Sequence, residues 1–232
     1  MKKVLFGLVA LSPVALATET NLYLRVGADL NGKYQTMTVY EEDMSTEKAD
    51  EFSYEFAVEA TRNLTDNLEF GLGVAYQKHG APNGTRGYDD FYNAQGKIEH
   101  YKAEYDMKGY TSIPLYLTLK YNFNAINNFV PYIKGNLGYS FNEEDGDITY
   151  TESNLTQKTS EGYKFGVDMN NGLYYGIGAG FEYNNFTIDL MYQVNEATAK
   201  LTDKDPGYEY RTIEQDCNYS RLTLSFGYKF NF

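Results

Sequence analysis

Apolar and polar residues alternate along this chain in one segment after another. In NLYLRVGADLN, Leu22, Leu24, Val26, Ala28 and Leu30 fall on one face of an extended strand and Tyr23, Arg25, Gly27, Asp29 and Asn31 on the other. Successive strand side chains point to opposite faces, so the stretch has one oily and one wet face. EFSYEFAVEAT repeats the pattern, with Phe52, Tyr54, Phe56, Val58 and Ala60 against Ser53, Glu55, Ala57, Glu59 and Thr61. LEFGLGVAYQ sets Leu68, Phe70, Leu72, Val74 and Tyr76 opposite Glu69, Gly71, Gly73, Ala75 and Gln77. SIPLYLTLKYNF, PYIKGNLGYSF, GLYYGIGAGFEY, FTIDLMYQVN and the terminal RLTLSFGYKFNF behave alike, which makes eight predicted strands. Their oily faces hold no charge, whereas their wet faces carry Lys120, Lys134, Glu182, Asp189, Arg221 and Lys229.

The connections alternate between long and short. Long ones cover about 32–50, 79–109, 143–170 and 196–217, and short turns lie near 63–67, 124–129 and 184–185. This spacing predicts an up-and-down meander with every long connection at one end. Outer-membrane barrels have that form, an even number of antiparallel strands whose lipid-facing and lumen-facing residues alternate. The expected fold is therefore all-β, an eight-stranded antiparallel transmembrane barrel. Closure follows physically, because an open strand edge in hydrocarbon leaves backbone N–H and C=O groups unsatisfied. Both termini are then expected in the periplasm, with the long connections outside the cell.

The first residues fit that destination. MKKVLFGLVALSPVALATET has two lysines, an apolar run from Val4 to Leu11 and an Ala15-Leu16-Ala17 cleavage site, so residues 1–17 read as a secretory signal peptide and 18–232 as the barrel. The apolar run is too short for a spanning helix. Cys217 is the sole cysteine and offers no intrachain disulfide.

Composition sharpens the reading. There are 24 Tyr and 14 Phe but no Trp, in a chain with a mean hydropathy of -0.54. Tyrosines near strand ends, among them Tyr54, Tyr76, Tyr121, Tyr183 and Tyr228, suit an interfacial girdle, with the ring in the apolar layer and the hydroxyl at the headgroups. The formal net charge is -12, which argues against a nucleic-acid partner, since phosphates attract clustered Lys and Arg. Most of the acidic excess falls in the long connections.

The signal peptide, the eight segments, the four long connections, the SIPLYLTLKYNF and YYGIGAGFEY strands and a terminal Phe232 together resemble the small outer-membrane barrels of the OmpA and OmpX type. The resemblance covers the whole of 18–232. It implies a bacterial outer-membrane location, lipid and lipopolysaccharide as surroundings, and recognition by the outer-membrane assembly machinery through the terminal ladder Phe226, Tyr228, Phe230 and Phe232. OmpA itself continues into a periplasmic peptidoglycan-binding domain; this sequence stops at its eighth strand, so cell-wall binding is not expected.

The wet face predicts what fills the lumen. Arg25, Lys120, Lys134, Arg221 and Lys229 face Asp29, Glu55, Glu59, Glu69, Glu182 and Asp189. An eight-stranded barrel is just wide enough for side chains to fill it, and buried charges need partners. A paired polar plug is the expectation, with a narrow or gated pore, or a hydrophobic-solute conduit, as the alternative. Inward glycines, Gly71, Gly73, Gly176, Gly178 and Gly180, would make room for long charged neighbours. Tyrosine-rich stretches such as GYDDFYN and GYEYRT offer contact patches for a host or cell-surface ligand. NEEDGD, residues 142–147, lacks EF-hand spacing, so no metal and no cofactor is expected. His79 and His100 are the only histidines, both in the second long connection as read here, and no Ser-His-acid set can be placed. The reading is a non-enzymatic membrane anchor displaying acidic loops for envelope integrity or adhesion.

Overall fold

A computed structural model describes residues 20–39, 42–204 and 212–232. The expected signal peptide and residues 207–211 of GYEYRT lie outside them. Among the described residues eighteen strands follow in chain order: β1 (Thr20–Tyr34), β2 (Thr38–Val39), β3 (Glu42–Asp43), β4 (Ser45–Ala49), β5 (Tyr54–Asn63), β6 (Leu68–His79), β7 (Pro82–Gly84), β8 (Arg86–Tyr92) and β9 (Ile98–Asp106). The second half holds β10 (Tyr110–Asn122), β11 (Phe129–Glu144), β12 (Ile148–Asn154), β13 (Thr159–Asn170), β14 (Gly172–Tyr183), β15 (Phe186–Asn195), β16 (Thr198–Asp203), β17 (Thr212–Asp216) and β18 (Tyr219–Asn231).

Eight of these close a barrel. The order β18-β15-β14-β11-β10-β6-β5-β1 returns on itself through antiparallel pairing of β1 with β18, from Asn21↔Asn231 to Tyr34↔Tyr219. The eight strands and their order match the sequence expectation. Two of the short turns, Asn127-Asn128 and Asn184-Asn185, hold both residues at positive φ (49° and 70°, 48° and 70°), the geometry that suits a two-residue hairpin turn and that Asn tolerates well.

Outward side chains make an apolar band with aromatic belts at both rims. Phe129 and Tyr183 (4.6 Å), Phe186 and Tyr228 (5.1 Å) and Tyr121 and Phe123 (5.2 Å) meet at the short-turn rim, and Tyr54 contacts Phe56 (5.7 Å) and Tyr76 (6.4 Å) at the other.

The long connections carry strands of their own. The hairpins rise past the barrel mouth and their upper parts join in a six-stranded sheet, β17-β16-β13-β12-β9-β8, while β4 and β7 add a flap beside β1. At the mouth, β1 has a bulge between Asp29 and Asn31. One extra residue there flips the alternation. Asn31, expected inward from the period, is exposed, and Gly32 and Tyr34 turn inward.

Candidate functional site

The lumen is built by the wet faces of the eight barrel strands. All eleven charges expected there point inward, and each lies in at least one ion pair. They form three tiers. Nearest the short turns, Lys120 reaches Glu69 (3.3 Å) and Glu182 (3.2 Å), and Lys229 approaches both at 3.5 Å. The Tyr23 hydroxyl donates to Glu69 (2.8 Å) and accepts from Lys120 (2.9 Å). At mid-height, Arg25 bridges Glu59 (3.1 Å) and Asp189, and Lys134 lies 2.5 Å from Glu59. Tyr116 and Tyr132 donate to Glu59 (2.9 Å) and Asp189 (2.7 Å). In the upper tier, Arg221 contacts Glu55 (2.6 Å) and Asp29 (3.6 Å), with Gln77 and Gln193 hydrogen-bonded to Glu55.

Each of the two lower tiers balances two cations against two carboxylates, whereas the upper tier sets Arg221 alone against Glu55 and Asp29. Unpaired charge in so dry a space is costly, and the carboxylates also take tyrosine and amide donors that satisfy their remaining lone pairs. At two glycines the room serves tyrosines rather than long charged side chains. A Cβ on Gly73 would fall 2.4 Å from the Tyr116 ring, and one on Gly180 would fall 2.6 Å from that of Tyr132.

Above the tiers lies an aromatic lid. His79 stacks obliquely on Tyr110 (4.5 Å) and Tyr219 (4.4 Å), and Tyr34 on Tyr219 (4.8 Å). Beyond the lid sits an apolar core with Met37, Met44, Met107, Ile148, Leu201 and Cys217 at its centre. Sequence reasoning missed this core, and it placed His79 in a loop. His79 instead ends β6 fully buried, with Nε2 2.9 Å from the Ser112 hydroxyl. That hydroxyl donates to Asn142 (2.7 Å), and among the described residues His79 Nδ1 has no hydrogen-bond partner, so no described carboxylate orients the ring. His100 lies in β9 and is exposed, 2.6 Å from Asp90. Burial pushes the Cys217 thiol up to about 12. In NEEDGD, Asp145 pairs with Lys78 and Asp147 with Lys204 (2.7 Å); among the described residues, no group of three or more His, Cys, Asp or Glu is arranged to hold a metal.

The surface sheet presents a different chemistry. β8, which carries GYDDFYN except for its last residue, Asn93, is an edge strand, and all seven of its residues are exposed, with Tyr92 at 75% and Tyr88 at 69%. At the top of the sheet, the Glu99 carboxylate accepts from Asn93 (3.0 Å), Tyr101 (3.0 Å), Asn154 (2.8 Å) and Gln157 (2.7 Å). Those hydrogen bonds, Asn93's foremost, hold its carboxyl down to about 2.

Comparison with known proteins agrees with this architecture. The sequence profile of the outer membrane protein beta-barrel domain family matches residues 4–230. An uncharacterized protein of Pasteurella multocida (strain Pm70), PM1543, is 31% identical over 249 residues, spanning 99% of this chain and 98% of its own. Among solved structures, the outer membrane protein OprG from Pseudomonas aeruginosa aligns with 92% of this chain and 96% of its own at 14% identity and a TM-score of 0.47. Ail, the attachment invasion locus protein of Yersinia pestis, in complex with the heparin analogue sucrose octasulfate, aligns with 91% and 98% at 14% identity and a TM-score of 0.40.

Proposed function

The chain belongs to the outer membrane protein beta-barrel domain family, and on that premise we propose that it acts without catalysis, as an outer-membrane anchor that displays an acidic, tyrosine-rich sheet to partners at the cell surface. The observation that carries this reading is the contrast between a filled lumen and a surface sheet ending in the wholly exposed strand β8. Among the described strands β8 pairs only with β9. Its other edge is open to an extended segment of a partner, which would add a strand through main-chain hydrogen bonds. Arg86, Asp89 and Asp90 on that strand guard the same edge against indiscriminate aggregation.

In this reading both termini and the short turns face the periplasm, and the sheet faces outward among the lipopolysaccharide. Residues 1–17 are removed on export. The ladder Phe226, Tyr228, Phe230 and Phe232 on β18 is the segment taken up by the assembly machinery; Phe226, Phe230 and Phe232 are exposed on the barrel wall, as such recognition needs.

The test is a pair of measurements on the same protein. Replacing residues 86–104 by a short Gly-Ser link is expected to abolish adhesion of expressing cells to a host-cell layer while leaving the barrel folded. Adhesion that survives the deletion rejects display. In planar bilayers the full chain is expected to be silent; steady openings altered by Lys120→Ala would instead make the lumen the functional part.

A further inference from the structure

The register of β9, β12 and β13 sets one face of the surface sheet in rows. Tyr105, Tyr150 and Tyr163 form the first row above the apolar core, with ring separations of 4.9 and 5.9 Å. Ala103, Glu152 and Glu161 form the next, and Tyr101, Asn154 and Thr159 the highest. Lower on the same face, Ile148 and Phe165 pack into the apolar core, so the sheet leaves the core and becomes a free surface as it rises. The recess at its upper end has a volume of about 250 Å³ and is lined by Tyr101, Glu152, Asn154, Gln157, Thr159 and Glu161, with Ser160 at its rim.

Two features set this recess apart from an ordinary wet surface. Its polar groups are fixed beforehand: Tyr101, Asn154 and Gln157 are all tethered to the buried Glu99 carboxylate, and Asn154 Oδ1 also accepts the backbone N–H groups of Thr156 (3.0 Å) and Gln157 (2.9 Å). A site already ordered loses little freedom when it binds. Its two carboxylates, moreover, stand directly opposite each other across β12 and β13, an arrangement that is unfavourable by itself, and among the described residues neither has a Lys or Arg at ion-pair distance. Among the described residues, the hydrogen bond recorded for Glu161 comes from the Tyr163 hydroxyl, at 3.0 Å.

We propose that this recess binds one ring of a neutral sugar, an inference that rests on the display reading above and adds to the same sheet a second contact surface, apart from the edge of β8. Ionised carboxylates only accept hydrogen bonds, so the ligand must bring donors, and neighbouring ring hydroxyls supply them in pairs. The volume lies below that of a typical drug-sized pocket, which suits a single ring. Tyr101 adds an aromatic surface for the apolar face of the ring. An anionic sugar is repelled by Glu152 and Glu161. A calcium ion needs six to eight oxygens, more than two carboxylates and their neighbours are arranged to give.

The experiment is saturation-transfer NMR on the full chain refolded in dodecylphosphocholine, a detergent without a sugar headgroup. The probes are D-galactose, D-glucose and N-acetyl-D-glucosamine, with a sulfated disaccharide, a lysine tripeptide and calcium as competitors. Transfer is expected to at least one neutral sugar, weakened tenfold or more by Glu152→Gln together with Glu161→Gln, and unchanged by Thr151→Ala on the opposite face of β12. Three results overturn the site: no transfer to any neutral sugar, transfer indifferent to the double substitution in a protein whose strand content is intact, or displacement of nothing while the lysine peptide or calcium alone binds. Cell adhesion by the same double variant separates this inference from its premise. Adhesion lost with the 86–104 deletion but kept, with no sugar binding, in the double variant rejects the recess and leaves display standing; adhesion indifferent to the deletion rejects display even if a sugar binds.

Discussion

The same hairpins run through two regions of this molecule and reverse their polarity between them. Below the mouth, Leu137, Ile177 and Leu117 face out while Arg25, Lys120 and Glu59 face in. Above it, Met44, Ile148 and Leu201 face in while the opposite side of β12 and β13 carries Thr151, Ser153 and Lys164. The lid of Tyr34, Tyr110, Tyr219 and His79 marks the crossing. Alternation creates two faces in both regions; the surrounding medium decides which face turns outward. Lipid takes the apolar face in one case and water the polar face in the other.

Deleting a carboxylate from the middle tier should break the lower region most severely. Glu59→Ala leaves Arg25 and Lys134 buried with Asp189 as their only carboxylate, and removing one partner of a buried pair costs about 3–5 kcal/mol. Urea unfolding in lipid vesicles measures this. In the upper region the corresponding test is Leu201→Ala, expected to cost about 2–5 kcal/mol as a cavity in a packed core. Hydrogen exchange should then quicken in β13 and β16 while the barrel strands stay protected. A lysine on each outer face sharpens the contrast. Leu137→Lys, on the lipid face, should cost about 2–4 kcal/mol near mid-membrane, whereas Thr151→Lys should stay within about 0.5 kcal/mol.

The smallest expected effect is a pH dependence confined to the top of the sheet. Glu99 titrates near 2 when folded and near 4.3 when unfolded, so its stabilising hydrogen bonds are complete above about 4.3 and fade as the pH falls through about 2. Amide exchange at residues 93–101 and 154–158 should rise across that interval and nowhere above it.

These differences explain what the sequence disclosed. The barrel strands were legible because one solvent covers one whole face, so Leu22 through Ala28 or Leu222 through Phe232 alternate without interruption. The surface strands were not, because their inner face passes from core to open water within a few residues. Ile148, Tyr150, Glu152 and Asn154 share a face, yet only the lower half of that series is apolar. The bulge in β1 was hidden for a related reason. Asn31-Gly32 resembles a turn in sequence, whereas the strand continues to Tyr34 and delivers a ring to the lid. The lumen charges could be listed from period two, but their sorting into tiers depends on the stagger between neighbouring strands, which alternation alone does not encode. The Glu99 hub joins hairpins from two separate connections and left no local signal.

The pairing of β1 with β18 also governs the order of events in folding. Every other strand pairing in the barrel joins strands that follow one another around the meander, but this one brings together residues some two hundred positions apart, a search whose entropic cost precedes any reward. Until the last strand is available, the first must keep an unsatisfied edge in or near the bilayer. Closure is therefore the natural slow step, since it waits for β18.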